Sequence, residues 1–234
     1  MRIAVIPARA GSKRIKNKNT RAFHGKPIIA YSIESALNSQ LFDRVIVSTD
    51  NESIANIARQ YGAEVPFLRP AELADDYTPT VPVVQHALNV LGVSDDVDVV
   101  CCIYATAPML TAKTLKACFH QFINSSSQYD YGFPVTEFGY PVYRGFTLAS
   151  DNQVSMLYPE ENNTRTQDLP RTYHDAGQFY FGRTQAWIEG RPILSGYSLG
   201  MPIPRLLALD IDDETDWKVA ELIFQAVSEL DSDE

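Results

Sequence analysis

The sequence predicts an α/β fold built on a mainly parallel sheet, and three observations carry that reading. Short apolar runs of strand length alternate with stretches of helical period from the first residues onward. The residues with the most evident chemistry sit just after those runs, where open parallel sheets place their ligands. A hydrophobic content of 45% over 234 residues is enough to cover such a sheet on both faces within a single domain, residues 1–234.

The first apolar run is residues 3–6. A helix opened by Pro27 follows, with Ile29, Ile33, Ala36 and Leu37 on one face. Residues 44–48 form the second strand and residues 51–61 the second helix, with Ile54, Ile57 and Ala58 inward, before a short strand over 65–68. Pro79 opens a third helix. Residues 97–103 read as a fully buried strand, and Leu115, Cys118, Phe119, Phe122 and Ile123 recur at helical spacing beyond Thr111. From about 138 to 175 the periodicity gives way to a stretch rich in Tyr, Pro and turn formers. Connections of that length are usually functional, and its aromatic content argues against the alternative of a floppy insertion. Regular structure returns with a strand over 177–181 and a short helix near 184–189. A final helix places Trp217, Ala220, Ile223, Val227 and Leu230 inward and frays over 231–234.

Charge is distributed unevenly. Seven Lys or Arg and no Asp or Glu lie between Arg9 and Lys26, in a chain whose net charge is −9. A dense positive loop in an acidic protein fits a compact polyanion such as a triphosphate, whereas a nucleic acid would need a broader basic face. Gly11 and Ser12 add backbone whose N–H groups can turn toward an anion. The competing reading is a solvated basic turn. The loop has neither the second glycine of a Walker A motif nor a G-x-G-x-x-G fingerprint. With no leader-like start and no apolar stretch near eighteen residues, the expected location is the cytoplasm, with no membrane partner. Cys101, Cys102, Cys118 and the four His lack metal-ligand spacing, and the adjacent Cys pair is poorly placed for a disulfide, so buried thiols are expected.

A second constellation is Leu207-Ala-Leu-Asp-Ile-Asp-Asp213. In an extended segment Asp210 and Asp212 point to the same side. Two carboxylates beside a triphosphate site are what Mg²⁺ uses, phosphate oxygens and waters completing its octahedron. Asp213 would point away or cap the last helix together with the Glu214 charge. On the other reading all three acids simply begin that helix.

The string P-A-R-x-G-S-K-R-I-x-x-K-N over residues 7–19 resembles the opening motif of the sugar-activating nucleotidyltransferases, above all the cytidylyltransferases for sialic-type keto acids. The resemblance spans nearly the whole chain. It implies a three-layer α/β/α Rossmann-like nucleotidyltransferase fold, with residues 138–175 as a protruding dimerisation arm of a homodimer. It also implies Mg²⁺-dependent attack by the anomeric hydroxyl of a nine-carbon keto sugar acid on the α-phosphorus of CTP. On that resemblance Ala8, Arg9, Gly11, Ser12, Lys13, Lys18, Asn19, Arg69 and Thr80 would bind the nucleotide. Arg69, in an L-R-P-x-x-L-A-x-D segment, would read the cytosine or its ribose-phosphate, and Asp76 would hold that loop. Arg9, Lys18, Asp210 and Asp212 would be catalytic, with the two carboxylates on the metal. No residue stands out as general base.

The chain also departs from its sialic-acid relatives. They usually show Gln at the place of Tyr104 and Arg-x-Asn-Gly in place of His174-Asp-Ala-Gly177. Residues 12–19, 101–104, 163–169 and 173–177 instead resemble the branch of the family that activates pseudaminic acid, a precursor of surface glycans or modified flagellin. That implies substrate contacts from Tyr104, Thr106, Arg165, Gln167, Tyr173 and His174, although Tyr173 and His174 could equally be packing at a segment boundary. Legionaminic, N-acetylneuraminic or 3-deoxy-octulosonic acid remain alternative acceptors. A non-catalytic nucleotide-binding module would be expected to lack one of the basic or carboxylate residues, and a purely structural dimerisation protein would not explain the clustered cations.

Overall fold

The computed structural model describes residues 1–93, 97–125 and 128–232. Its strands are β1 (Arg2–Pro7), β2 (Ala22–Phe23), β3 (Lys26–Pro27), β4 (Arg44–Ser48), β5 (Val99–Ile103), β6 (Tyr131–Glu137), β7 (Phe146–Leu148), β8 (Val154–Met156), β9 (Tyr173–Asp175), β10 (Phe179–Arg183) and β11 (Ser198–Pro202). The helices are α1 (Ile28–Ser39), α2 (Glu52–Gln60), α3 (Thr80–Val90), α4 (Ala112–Asn124), α5 (Thr184–Ile188) and α6 (Glu214–Ser232).

The central sheet runs in the order β11-β6-β10-β5-β1-β4, with β9 pairing on β6. β1 is parallel to both β4 and β5, and β11 is parallel to β6, which makes the sheet mainly parallel as expected. β10 is antiparallel to β5 and β6, and β9 to β6. The cause is the connection. No crossover helix separates β6 from β9 and β10, so the chain re-enters the sheet at the edge it left and must run back down.

Alternation along the strands sorts their side chains into two faces. Ala4, Ile6, Cys101 and Ile103 pack with α1, α2 and α4, while Ile3, Val5, Val100 and Cys102 pack with α3 and α5. Three layers result. Cys101 and Cys102 point to opposite faces, and all three cysteines are free and buried. Burial pushes the Cys118 thiol up to about 11.

Several local expectations need correction. Residues 65–68 make no strand. Only two isolated parallel bridges form, Ile46 with Glu64 and Thr49 with Leu68, because Pro66 and Pro70 remove ladder donors on either side. Leu37 and Ile123 face outward from α1 and α4 rather than into the core, each lying at the edge of its helix's apolar stripe. The strand expected over 177–181 begins at Phe179, because Gly177 takes a left-handed turn at φ +63°. The last helix continues to Ser232, and residues 233–234 and the side chain of Leu230 lie outside the described residues.

Residues 138–175 leave the carboxyl end of β6 and return through β9. Within the segment β7 and β8 form a two-stranded hairpin, and the Arg144 guanidinium donates to the carbonyls of Glu161, Asn162 and Thr164. Tyr143 packs on Tyr158 with ring centroids 5.0 Å apart. These internal bonds order the segment and speak against a floppy insertion.

Candidate active site

The basic loop begins where β1 ends. Ala8 N–H donates to Ser48 O at 2.9 Å and Ala10 N–H to the Asp50 carboxylate at 3.0 Å, tying the loop to the end of β4. Asn17 takes a left-handed conformation, which Asn tolerates, and its carbonyl accepts from the N–H groups of Thr20 and Arg21, both at 2.9 Å. Between the cations one apolar residue, Ile15, is fully buried against Phe23, Ile28, Ile211, Trp217 and Ala220. Arg21 lies over the Trp217 ring, 4.4 Å from its centroid, and pairs with Glu214 at 2.6 Å. The loop is thus pinned between β4 and α6. Sequence reasoning missed this anchor, although a lone Ile between Arg14 and Lys16 was the available signal.

Beyond the strand ends opens a cavity of about 270 Å³. It is lined by Arg9, Ser12, Lys13, Lys18 and Asn19 of the basic loop together with Arg69, Thr80, Tyr104, Thr106 and Asp212. Residues predicted from distant parts of the sequence therefore meet here. Ala8 does not reach the space, since it is buried and its N–H is taken by Ser48, and Gly11 lies outside the lining. Asn19 contributes indirectly, its side-chain amide donating to Arg9 O at 2.9 Å and fixing that turn.

Carboxylates hold the cations in position. Asp76 pairs with Arg9 and with Lys13, each at 2.5 Å, so it ties its segment to the basic loop, while Asp75 accepts from Tyr77 N–H and Thr78 within its own loop. Hydrogen bonds from Lys13 and Arg9 hold the Asp76 carboxyl below its ordinary range. Asp212 pairs with Arg14 at 2.6 Å and lies 4.0 Å from Lys18 Nζ. Lys18 also donates to Ile211 O; burial lowers its pKa, with Asp212 and Asp210 opposing.

Arg69 is 5% exposed, and its Nε and Nη2 have no partner. Its own N–H donates to Thr49 O at 2.7 Å, so the bridge that replaced the expected strand sets its position. Burial lowers its pKa, partly offset by Asp50. An unpaired buried guanidinium costs stability and marks a place where a ligand completes the hydrogen bonding.

Asp210 sits outside the cavity lining, and a Cβ on Gly177 would lie 3.8 Å from its carboxyl carbon. Desolvation first, then the neighbouring Asp212 charge, raise its pKa. Like charges held close in this way favour a cation between them. No group of three or more His, Cys, Asp or Glu among the described residues could hold a metal by itself. Two carboxylates at and beside the basic cavity would nevertheless suit a divalent cation, whose remaining ligands could come from phosphate and water. Asp213 starts α6 as expected: its Oδ1 accepts from the N–H groups of Thr215 and Asp216 at 2.7 and 3.0 Å. Asp216 accepts from Asp212 N–H and Asp213 N–H in return, a reciprocal cap that fixes the backbone at Asp212.

The remaining predicted residues are not brought to this cavity within one chain. Arg165 is exposed and paired with Asp168 at 2.6 Å, and Gln167 is exposed on the same turn. Tyr173 is 43% exposed. His174 packs on Phe138 at 4.8 Å and its Nδ1 donates to Asp175 O at 2.8 Å.

A family model described as "Cytidylyltransferase" matches residues 3–208. A pseudaminic acid cytidylyltransferase of Campylobacter jejuni is 45% identical over 95% of this chain and 96% of its own length. A CMP-N,N'-diacetyllegionaminic acid synthase of Legionella pneumophila is 32% identical over 95% and 96% respectively. Among solved structures, a CMP:2-keto-3-deoxy-manno-octonic acid synthetase complexed with CTP superposes with a TM-score of 0.69, covering 96% of this chain and 98% of that one. At 13% identity this likeness speaks to the fold alone. The family match covers every cation that lines the cavity and stops short of Asp212, and with it the chain belongs to the cytidylyltransferase family.

Proposed function

We propose that the protein transfers CMP from CTP to the anomeric hydroxyl of pseudaminic acid, giving CMP-pseudaminic acid and pyrophosphate. The observation that carries the nucleotide part is the buried Arg69 with two unpaired nitrogens, lining one cavity with Arg9, Lys13 and Lys18. A triphosphate would lie along the cations and a base or ribose would meet the guanidinium fork. The identity with the Campylobacter enzyme supports the acceptor.

In the reaction the anomeric oxygen bonds to the α-phosphorus, the bond to the bridging oxygen breaks, and pyrophosphate leaves with that electron pair. The acceptor's proton goes to a base that the residues do not single out. Arg9, Lys13 and Lys18 would neutralise the leaving pyrophosphate, so catalysis here is positioning and charge stabilisation. Ser12 and Asn19 would shape the phosphate loop, Thr80 would contact the nucleotide, and Tyr104 and Thr106 would line the acceptor side. Mg²⁺ on Asp210 and Asp212 would supply Lewis-acid charge beside the α-phosphate.

We further propose a homodimer in which residues 138–175 are the arm, within a single domain of residues 1–234. Phe146, Leu148 and Val154 of the hairpin, and Leu157 after it, are all more than half exposed, an apolar face that suits a second copy. A partner's arm would bring Arg165, Gln167, Tyr173 or His174 toward an acceptor. Among the described residues no helix is long and apolar enough to cross a membrane. The free buried thiols suit a cytoplasmic setting.

The deciding experiment is pyrophosphate release from CTP and Mg²⁺ with pseudaminic, legionaminic, N-acetylneuraminic and 3-deoxy-octulosonic acids in parallel. Preference for pseudaminic acid is expected. Preference for another acid would move the acceptor assignment, and no release with any of them would overturn it.

A further inference from the structure

Gln178 lies between the left-handed turn at Gly177 and the first residue of β10, and is only 1% exposed. Its backbone and its side chain reach two different parts of the site. Gln178 O accepts from Tyr104 N–H at 2.8 Å, while its Nε2 donates to Leu207 O, in the segment that leads to Asp210 and Asp212. A carbonyl can only accept, so the amide turns its NH2 end to Leu207. Oε1 is left buried, without a partner among the described residues.

That half-used amide is informative. A buried acceptor without a partner costs stability, and an apolar side chain of similar length would fill the same slot without that cost. What the glutamine supplies instead is the bond it donates. The segment it reaches is also fixed at its two ends: Ile203 N–H donates to Val135 O at 2.8 Å, and Ile211 is fully buried, with Asp212 N–H donating to Asp216 at 2.9 Å. Asp210 lies between these anchors, and a Cβ on Gly177 would stand 3.8 Å from its carboxyl carbon. On the other side of Gln178, Tyr104 lines the cavity and its carbonyl accepts from Ser32 Oγ at 2.7 Å. Gln178 therefore ties the Asp210 segment to a turn that is itself held by α1.

We propose that Gln178 is a positioning residue: by donating to Leu207 O while accepting from Tyr104 N–H, it fixes the Asp210 segment against the Tyr104 turn and sets the affinity of the carboxylate pair for a divalent cation. The inference rests on the reading that Asp210 and Asp212 hold the metal, and adds what keeps them in place.

The test uses Gln178→Met and Gln178→Leu, which both remove the donor at similar volume and in two shapes. Mn²⁺ binding to the protein–CTP complex is read by electron paramagnetic resonance against CTP alone, and CTP binding without metal by calorimetry. Hydrogen exchange is followed at the Leu207 and Ala208 amides, which donate to Pro204 O and Arg205 O at 3.0 and 3.1 Å. In the variants Mn²⁺ affinity should fall about tenfold, as for other groups that orient metal ligands. The two amides should exchange about tenfold faster, and CTP affinity should stay within about twofold. Unchanged exchange and Mn²⁺ binding in folded variants would overturn the inference. Faster exchange with unchanged Mn²⁺ binding would reduce Gln178 to a structural tie and overturn it too, as would an equal loss of CTP affinity or the failure of both variants to fold. A wild-type complex that binds no more Mn²⁺ than CTP alone would overturn the metal assignment itself, and the inference with it, whatever the variants do.

Discussion

The nucleotide cavity and the 138–175 segment differ in how their functional side chains are fixed. In the cavity every cation sits within one or two residues of a strand end, a buried anchor or a carboxylate: Arg9 on Asp76, Lys18 on Ile211 O, Arg69 on the Thr49 bridge. In the segment the backbone is ordered by Arg144, yet Arg165, Gln167 and Tyr173 point to solvent. One chain supplies the first region, and in the proposed homodimer a second copy would cover the other. Binding of the nucleotide should therefore be a property of the single chain, and acceptor use a property of the assembly.

The largest effect expected is at the cavity. Asp212→Ala should lower kcat for pyrophosphate release by about a hundredfold, since it releases Arg14 and Lys18 and removes a proposed metal ligand, and charge-assisted contacts are worth about 1.5–3 kcal/mol each. Retention of more than a tenth of wild-type activity would remove Asp212 from the chemistry. Arg69→Ala should raise the CTP KM by about tenfold and leave the acceptor KM unchanged, and a change in the acceptor KM alone would break the assignment of sides. Leu148→Glu on the hairpin should convert a dimer to monomer by sedimentation and cost acceptor turnover severalfold while CTP binding by calorimetry is kept. A monomeric wild type would collapse the contrast between the two regions.

Smaller effects are tied to pH. The raised pKa of Asp210 means that it takes up a proton at higher pH than an ordinary Asp. A protonated carboxyl cannot hold a cation, so Mg²⁺ activation should be full above that pKa and weaken as pH falls through it. Titrating Mg²⁺ at pH 7 and pH 5 checks the direction, and an affinity that is constant or rises on acidification would exclude Asp210 from the metal site. Cys118→Ser should leave kcat and both KM values unchanged, as befits a thiol whose burial keeps it protonated.

The parallel half of the fold was legible because α1 and α2 each bury one apolar face on the sheet while β1 and β4 are buried on both faces, so local pattern and tertiary burial agree. The reversed β10 was not legible. Its residues read as a strand, but direction depends on the connection, and a long aperiodic insertion says nothing about which way the chain returns. Asp212 lines the cavity while Asp210 lies outside it, and the pinning of the backbone at Asp212 by Asp216 depends on where the helix begins, which the i, i+2 spacing does not state. The tie between Asp175 and Tyr180 was not legible, because the phenol meets the carboxylate only once β9 turns into β10.

That return of the chain has a consequence for how the molecule can be remodelled. β6 and β10 are adjacent in the sheet, so residues 138–175 form an excursion whose ends are already held together. Each doubling in length of such an excursion costs only about 0.6 kcal/mol in closure entropy. Lengthening, trimming or exchanging its hairpin should leave the central sheet standing, so this excursion can vary in length at little expense to the rest of the molecule.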